Sequence, residues 1–107
     1  MVWAKVVHMI ERIVLLKLKE EFATEEALAE LVERSRDVLP KLPGVVECSV
    51  GLAADEKSGD QWHISLVVRF ASLDDLPAFG DHPDHRSYVD DFIRPRLASI
   101  AAFNFAV

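Results

Sequence analysis

A single cysteine, Cys48, in a chain of 107 residues excludes an internal disulfide and fits a reducing compartment. Glycine is scarce, with four residues, and none builds a glycine-rich phosphate loop. Basic residues are the minority. Twelve Lys and Arg against eighteen Asp and Glu leave a net charge of -6, and the twelve are scattered without a stripe. Nucleic-acid binding needs a cationic surface to neutralise phosphates, so no such partner is expected, and a polybasic membrane anchor is missing for the same reason. Long hydrophobic runs are also missing. The N-terminal MVWAKVVHMIERIVLLKLKE is broken at Lys5, His8, Glu11, Arg12 and Lys17, well short of the ~18 apolar residues of a membrane span. It shows no signal-peptide cleavage pattern. No membrane association and a cytoplasmic location are therefore expected.

Half of the residues are nonetheless hydrophobic. A domain this short buries only roughly 65% of its unfolded surface, so the excess is easiest to place in an interface between copies. The length is that of one domain, with no repeat and no linker. Residues 1–9 read as an N-terminal extension, less ordered or lengthening the first strand, and residues 10–107 as the domain.

The alternation from Ile10 to Lys19 predicts a strand. Arg12, Val14, Leu16 and Leu18 share one face; Ile13, Leu15, Lys17 and Lys19 share the other. Both faces are largely apolar, as in a strand covered on both sides. Thr24 then caps a helix whose first turn holds Glu25 and Glu26. Leu28, Leu31, Val32, Ser35, Leu39 and Leu42 recur at helical spacing, and Glu30 and Arg34 are placed for an i, i+4 pair. Pro40, Pro43 and Gly44 end the helix.

VVECSVGL predicts a second strand, with Val46, Cys48, Val50 and Leu52 on one face, and ADEKSGDQ a polar hairpin loop. In WHISLVVRF, Trp62, Ile64, Leu66, Val68 and Phe70 oppose His63, Ser65, Val67 and Arg69. Ser72 and Asp75 form a capping box, and Pro77 keeps that helical piece short or kinked. Pro83 suits the first position of another helical piece, with His82 as its cap and Val89, Phe92 and Ile93 on its buried side. Pro95 bends or ends it, and IAAFNFAV closes as a strand.

The order β-α-β-β-α-β predicts an α+β, ferredoxin-like, four-stranded antiparallel sheet with helices on one face. The other face, with Ile13, Leu15 and Val67, is too apolar to leave wet; a second subunit packing sheet to sheet would cover it.

The segment FGDHPDHRSYV concentrates the chemistry. His85, third in its helix, shares a face with Val89 and Phe92 and should lean toward the sheet, while His82 stays near solvent. Three readings stand side by side. His82 caps and His85 fills a core edge. Or the two join Asp81, Asp84 and Asp90 in a metal site, for which two histidines lack further partners of suitable type and which is not expected. Or His85 is a general base. The helix N-terminus favours neutral imidazole and Asp81 and Asp84 oppose it, leaving the pKa near neutral, where a base works well. No Ser or Cys nucleophile motif accompanies it.

IVLLKLK, LPGVVECSVG, LVVRFASLDDL, HPDH and the closing FNFAV together resemble the stress-responsive dimeric α/β-barrel (Dabb) domain family from Glu11 to Val107. The resemblance implies a homodimer whose two sheets form a barrel with the helices outside. It further implies, from one plant branch that cyclises a linear polyketide acid, that His85 occupies the position of the base. The Tyr partner of that branch is replaced by Phe79, the His frequent at the start of strand one by Arg12, and a pocket His on strand three by Ile64. Tyr88, three residues after His85, is placed near the same pocket by helical spacing.

Two functions are expected to compete. In one, a dimeric, stress-related protein without a cofactor binds a small hydrophobic or aromatic molecule, an acid among the possibilities, between sheet and helices. In the other, a small-molecule enzyme such as a polyketide-cyclase-like lyase uses His85 as base and Arg12 to steady an anionic group. The walls in either case would be Val14, Leu16, Leu31, Ile64, Leu66 and Phe79, with His82 and Tyr88 alongside.

Overall fold

The alternation of the central strands is reproduced in the computed structural model, which describes residues 9–107; the expectation for the N-terminal extension lies largely outside them. Four strands, β1 (Ile10–Leu18), β2 (Val45–Leu52), β3 (Ile64–Phe70) and β4 (Leu97–Ala106), form one antiparallel sheet in the order β2-β3-β1-β4. The fold is the expected α+β, ferredoxin-like one. In β3 the period of two is unbroken: Ile64, Leu66, Val68 and Phe70 are buried, while the residues between them are only partly so.

The buried face packs on α1 (Glu25–Val38) and on the helical run between β3 and β4. Thr24 caps α1 by accepting from the Ala27 amide at 3.2 Å. Its inward stripe is Leu31, Val32 and Ser35. The expected Glu30–Arg34 pair does not form. Arg34 instead stacks on the Phe92 ring, 4.6 Å from its centroid, and Glu30 faces Arg96 at 3.9 Å. An exposed i, i+4 pair contributes only tenths of a kcal/mol, less than a guanidinium gains over an aromatic face.

Two further expectations are corrected. ADEKSGDQ is not a simple loop, since Glu56–Gln61 form a short helix, α2, capped by Asp55 on the Ser58 amide. On the far side of the sheet, Lys17 donates to the carbonyls of Gly59 and Asp60 at its C-terminus. In β2, the register shifts between Val45 and Glu47. This bulge turns Val45, rather than Val46, toward the core and leaves Val46 60% exposed. A strict period of two cannot anticipate an extra residue. Leu52 keeps the core-side register but sits at the sheet edge, exposed.

Between β3 and β4 the capping box of Ser72 and Asp75 is present. It leads through a 3-10 turn into α3 (Leu76–Asp81), then α4 (Pro83–Ser87), then a π-helical turn at Tyr88–Ile93 and a 3-10 turn at Arg94–Arg96. Phe79 packs edge-on against Phe70, with centroids 4.9 Å apart. Among the described residues, the opposite, outer face of the sheet is overlaid only at one end, by α2. It carries Ile13, Leu15, Val67, Phe103 and Phe105, and both phenylalanines are about half exposed.

One turn fixes the hand-over from α1 to β2. Leu42 to Val45 close a turn with Pro43 and Gly44 at its centre, and Gly44 has φ +79°, the type II signature. A Cβ at Gly44 would lie 2.9 Å from Asp75 Cβ. Gly44→Ala is therefore expected to lose about 1–3 kcal/mol, read as a fall in Tm of at least about 4 °C. An unchanged melting curve would contradict this turn.

Candidate functional site

The helical run does not fill the sheet evenly. Toward the β4 edge a cavity of ≈ 240 Å³ remains, floored by Val14, Leu16, Leu66 and Val68 of the sheet. Leu39, Phe79, Val89 and Ile93 wall it from the helical side, and Leu97 and Ile100 from β4. His85, Tyr88, Arg12 and Arg94 supply its polar groups. Its lining is dominated by apolar side chains with a few polar ones, the usual make-up of a small-ligand site. A larger depression of ≈ 490 Å³ lies between α2 and the outer face, but it is more open. Its histidine, His63, is committed to holding the end of the central β1–β3 pair, with Nδ1 accepting the Leu18 amide at 3.0 Å.

His85 owes its position to the break at His82. His82 closes α3 and caps α4, its Nδ1 accepting the Asp84 amide at 3.1 Å. Pro83 then starts α4, and the third residue of that turn, His85, faces inward on Phe79, ring centroids 4.5 Å apart. Among the described residues the one acceptor at its Nδ1 is the Gly80 carbonyl oxygen, 3.1 Å away. Nδ1 therefore carries the hydrogen, and in the neutral ring Nε2 keeps its lone pair. Among the described residues Nε2 has no protein partner. Burial lowers the His85 pKa from its ordinary value; the Gly80 carbonyl opposes that, the Arg12 charge adds to it, and Asp90 opposes it. The opposing carboxylate is thus Asp90, not the expected Asp81 and Asp84.

Tyr88 sits at the start of the π-helical turn and is buried. Its hydroxyl lies 2.6 Å from Ser35 Oγ on α1, itself fully buried. Burial pushes the Tyr88 pKa up to about 12, against the Ser35 hydrogen bond, which lowers it; the phenol stays protonated. Arg12 enters from β1 and donates to Asn104 Oδ1 at 3.1 Å.

The structure thus brings Arg12, Val14, Leu16, Leu66, Phe79, His85 and Tyr88 together around one cavity. It separates Leu31, Ile64 and His82 from it. Leu31 and Ile64 are 0% and 1% exposed in the core, and His82 is an outward cap. No group of three or more His, Cys, Asp or Glu among the described residues is arranged to hold a metal ion, and none of their helices is long and apolar enough to cross a membrane.

Sequence reasoning missed Leu39, Val68, Val89, Ile93, Arg94, Leu97 and Ile100 as lining residues. Val68 was legible as the neighbour of Leu66 on the same strand face. Ile100 was legible as sharing the Asn104 face, but Leu97 was not, because β4 begins there, just after the Pro95 turn, ahead of the expected start at Ile100.

The stress responsive A/B barrel domain model matches residues 10–107. The chain belongs to this family. No curated protein matches it by sequence. Solved structures do. A dimeric ferredoxin-like protein of unknown function from Thermobifida fusca shares 23% identity over 94% of this chain and 92% of its own, with a TM-score of 0.80. A Dabb family protein from Mesorhizobium loti shares 21% over 92% and 95%, with a TM-score of 0.77. The hydroxynitrile lyase of Passiflora edulis shares 15% over 94% of each chain, with a TM-score of 0.78. At these identities the Dabb fold is what is shared.

The His85 environment sets a pH dependence. A histidine whose folded pKa lies below its unfolded value binds fewer protons in the folded state. Its stability contribution is complete above about pH 6.5 and is lost as the pH falls through that value toward the folded pKa. Tm is expected to fall between about pH 7 and about pH 5, with His85→Gln removing part of that slope. The remainder belongs partly to His63, whose pKa burial and Lys17 also lower. An identical slope in the variant would show that His85 is not held neutral.

Proposed function

We propose that this Dabb protein acts as a homodimer that binds a small hydrophobic or aromatic molecule between the sheet and the helical run. The observation that carries the reading is the apolar cavity lined by His85, whose Nε2 has no protein partner among the described residues. The walls supply non-directional affinity. The Nδ1–H bond to Gly80 holds the ring, so that Nε2 presents one fixed acceptor to a ligand donor.

A second reading rests on the same nitrogen. With Nδ1–H committed to a carbonyl and the pKa lowered, His85 has the tautomer of a general base at neutral pH. Nε2 would take the proton, and the resulting imidazolium would keep its Gly80 bond, with Asp90 favouring the charge. The lyase found on the same fold supports this alternative. The acidic limb of any rate profile should then lie below about pH 6.5, since His85 stays deprotonated to lower pH than an ordinary histidine.

The homodimer reading is supported by the uncovered apolar outer face and by the dimeric state stated for the Thermobifida relative. A sheet-to-sheet interface would bury on the order of 2,000 Å². In the outer-face row Ser49, Val67, Ile13 and Phe103 stand side by side. A carboxylate at Val67 would lie unpaired in the middle of that contact, so Val67→Asp is expected to yield monomer or unfolded protein by analytical ultracentrifugation. Wild-type protein that sediments as a monomer at micromolar concentration would refute the dimer.

Thermal shift with a panel of small aromatic and polyketide-like molecules tests the binding site. Wild type is expected to be stabilised by members of the panel and His85→Ala to lose that response, with its dimer intact. If His85 is only a core residue, His85→Ala lowers Tm by a few degrees, as a loss of ~1 kcal/mol does in a domain of this size, and ligand responses match those of wild type.

A further inference from the structure

The charges of the cavity are all of one sign. The chain as a whole has a net charge of -6, yet the ionised side chains that line this space are Arg12 and Arg94, and no Asp or Glu lines it among the described residues. The two arginines come from different elements, Arg12 from β1 and Arg94 from the 3-10 turn after the π-helical one, so their joint presence is a product of the fold. Both are tied to weak partners. Arg12 donates to the neutral amide of Asn104. Arg94 pairs with Asp90 at 3.1 Å, with 70% and 50% of the two side chains exposed. An exposed i, i+4 pair of this kind contributes little and is readily exchanged for another carboxylate.

We propose that the cavity selects a monocarboxylate on a compact apolar or aromatic body, and that Arg94, released from Asp90, is a specificity-determining residue that holds the acid together with Arg12. The proposal rests on the ligand-binding reading above and adds the charge of the ligand and a residue to the site. Size follows from volume: ≈ 240 Å³ lies below the ~300–1,000 Å³ of drug-sized sites, so the body is of the order of one substituted ring. The apolar body lies on Leu66, Val68 and Phe79, and the carboxylate sits at the arginine side. A guanidinium offers a planar fork that matches a carboxylate with two parallel hydrogen bonds. A neutral amide of the same shape leaves those donors poorly matched. Asp90 acts as an internal competitor, occupying Arg94 while the cavity is empty.

The test is calorimetric titration of the full-length protein with phenylacetate and with phenylacetamide, which has nearly the same shape without the charge. Wild type is expected to bind phenylacetate at least about tenfold more tightly, with affinity falling as salt is raised. Arg94→Gln and Arg12→Gln should each weaken phenylacetate about tenfold and bring it close to the amide. Asp90→Asn should tighten phenylacetate by removing the competitor, and this variant covers the case in which an arginine substitution disturbs folding. Equal affinity for the two ligands, or an unchanged phenylacetate affinity in Arg94→Gln, overturns the anion assignment while leaving the binding site standing. Failure of the wild type to bind either molecule overturns the assignment and the binding-site reading together.

Discussion

The central strand β1 is hydrogen-bonded to β3 on one side and to β4 on the other, and through Ile13–Leu16 it is apolar on both faces. That double burial demand governs the rest of the architecture. Ile10, Leu16 and Leu18 are buried under the helices, which collects α1 and the helical run on one face. Ile13 and Leu15 point the opposite way, and there the described residues supply only the overhang of α2, held by Lys17. An unfilled apolar face is costly in water, so the sheet that organises the protomer also carries the face on which the proposed dimer rests.

The cavity arises from the same layer arrangement. The helical connection between β3 and β4 is not one straight helix; α3, α4 and a π-helical turn follow one another at His82 and Tyr88. Each break re-aims a side chain. The break at His82 turns His85 onto Phe79, and the π-helical turn brings Tyr88 inward to the hydroxyl of Ser35. π-helical turns often mark functional sites, and here one carries Tyr88, Val89 and Ile93 to the cavity wall. Phe92, on the same turn, is instead packed against the guanidinium groups of Arg34 and Arg96.

The polar groups of the cavity differ in how firmly they are set. His85 is oriented by a backbone carbonyl and Tyr88 by a buried hydroxyl. Arg12 and Arg94 are held only by surface partners. The rigid members define a geometry and the loosely held ones bring charge to it, a division suited to a site that must admit a ligand before gripping it.

Much of this was legible in local pattern. The period of two in β1 and β3, the Thr24 cap, the Ser72–Asp75 box and the His82-Pro83 helix start are each decided within a few residues, by sterics and short-range hydrogen bonds. They depend little on what lies across the fold, so the sequence by itself determined the element order, the ferredoxin-like sheet and the inward direction of His85. Tertiary structure alone decided the bulge at Val45–Glu47, the partner of Tyr88, and the meeting of Arg94 and Ile100 with Arg12 around one cavity. These depend on strand register and on the volume left between layers. Such quantities arise only when segments far apart in the chain pack together, so no local spacing of residues encodes them.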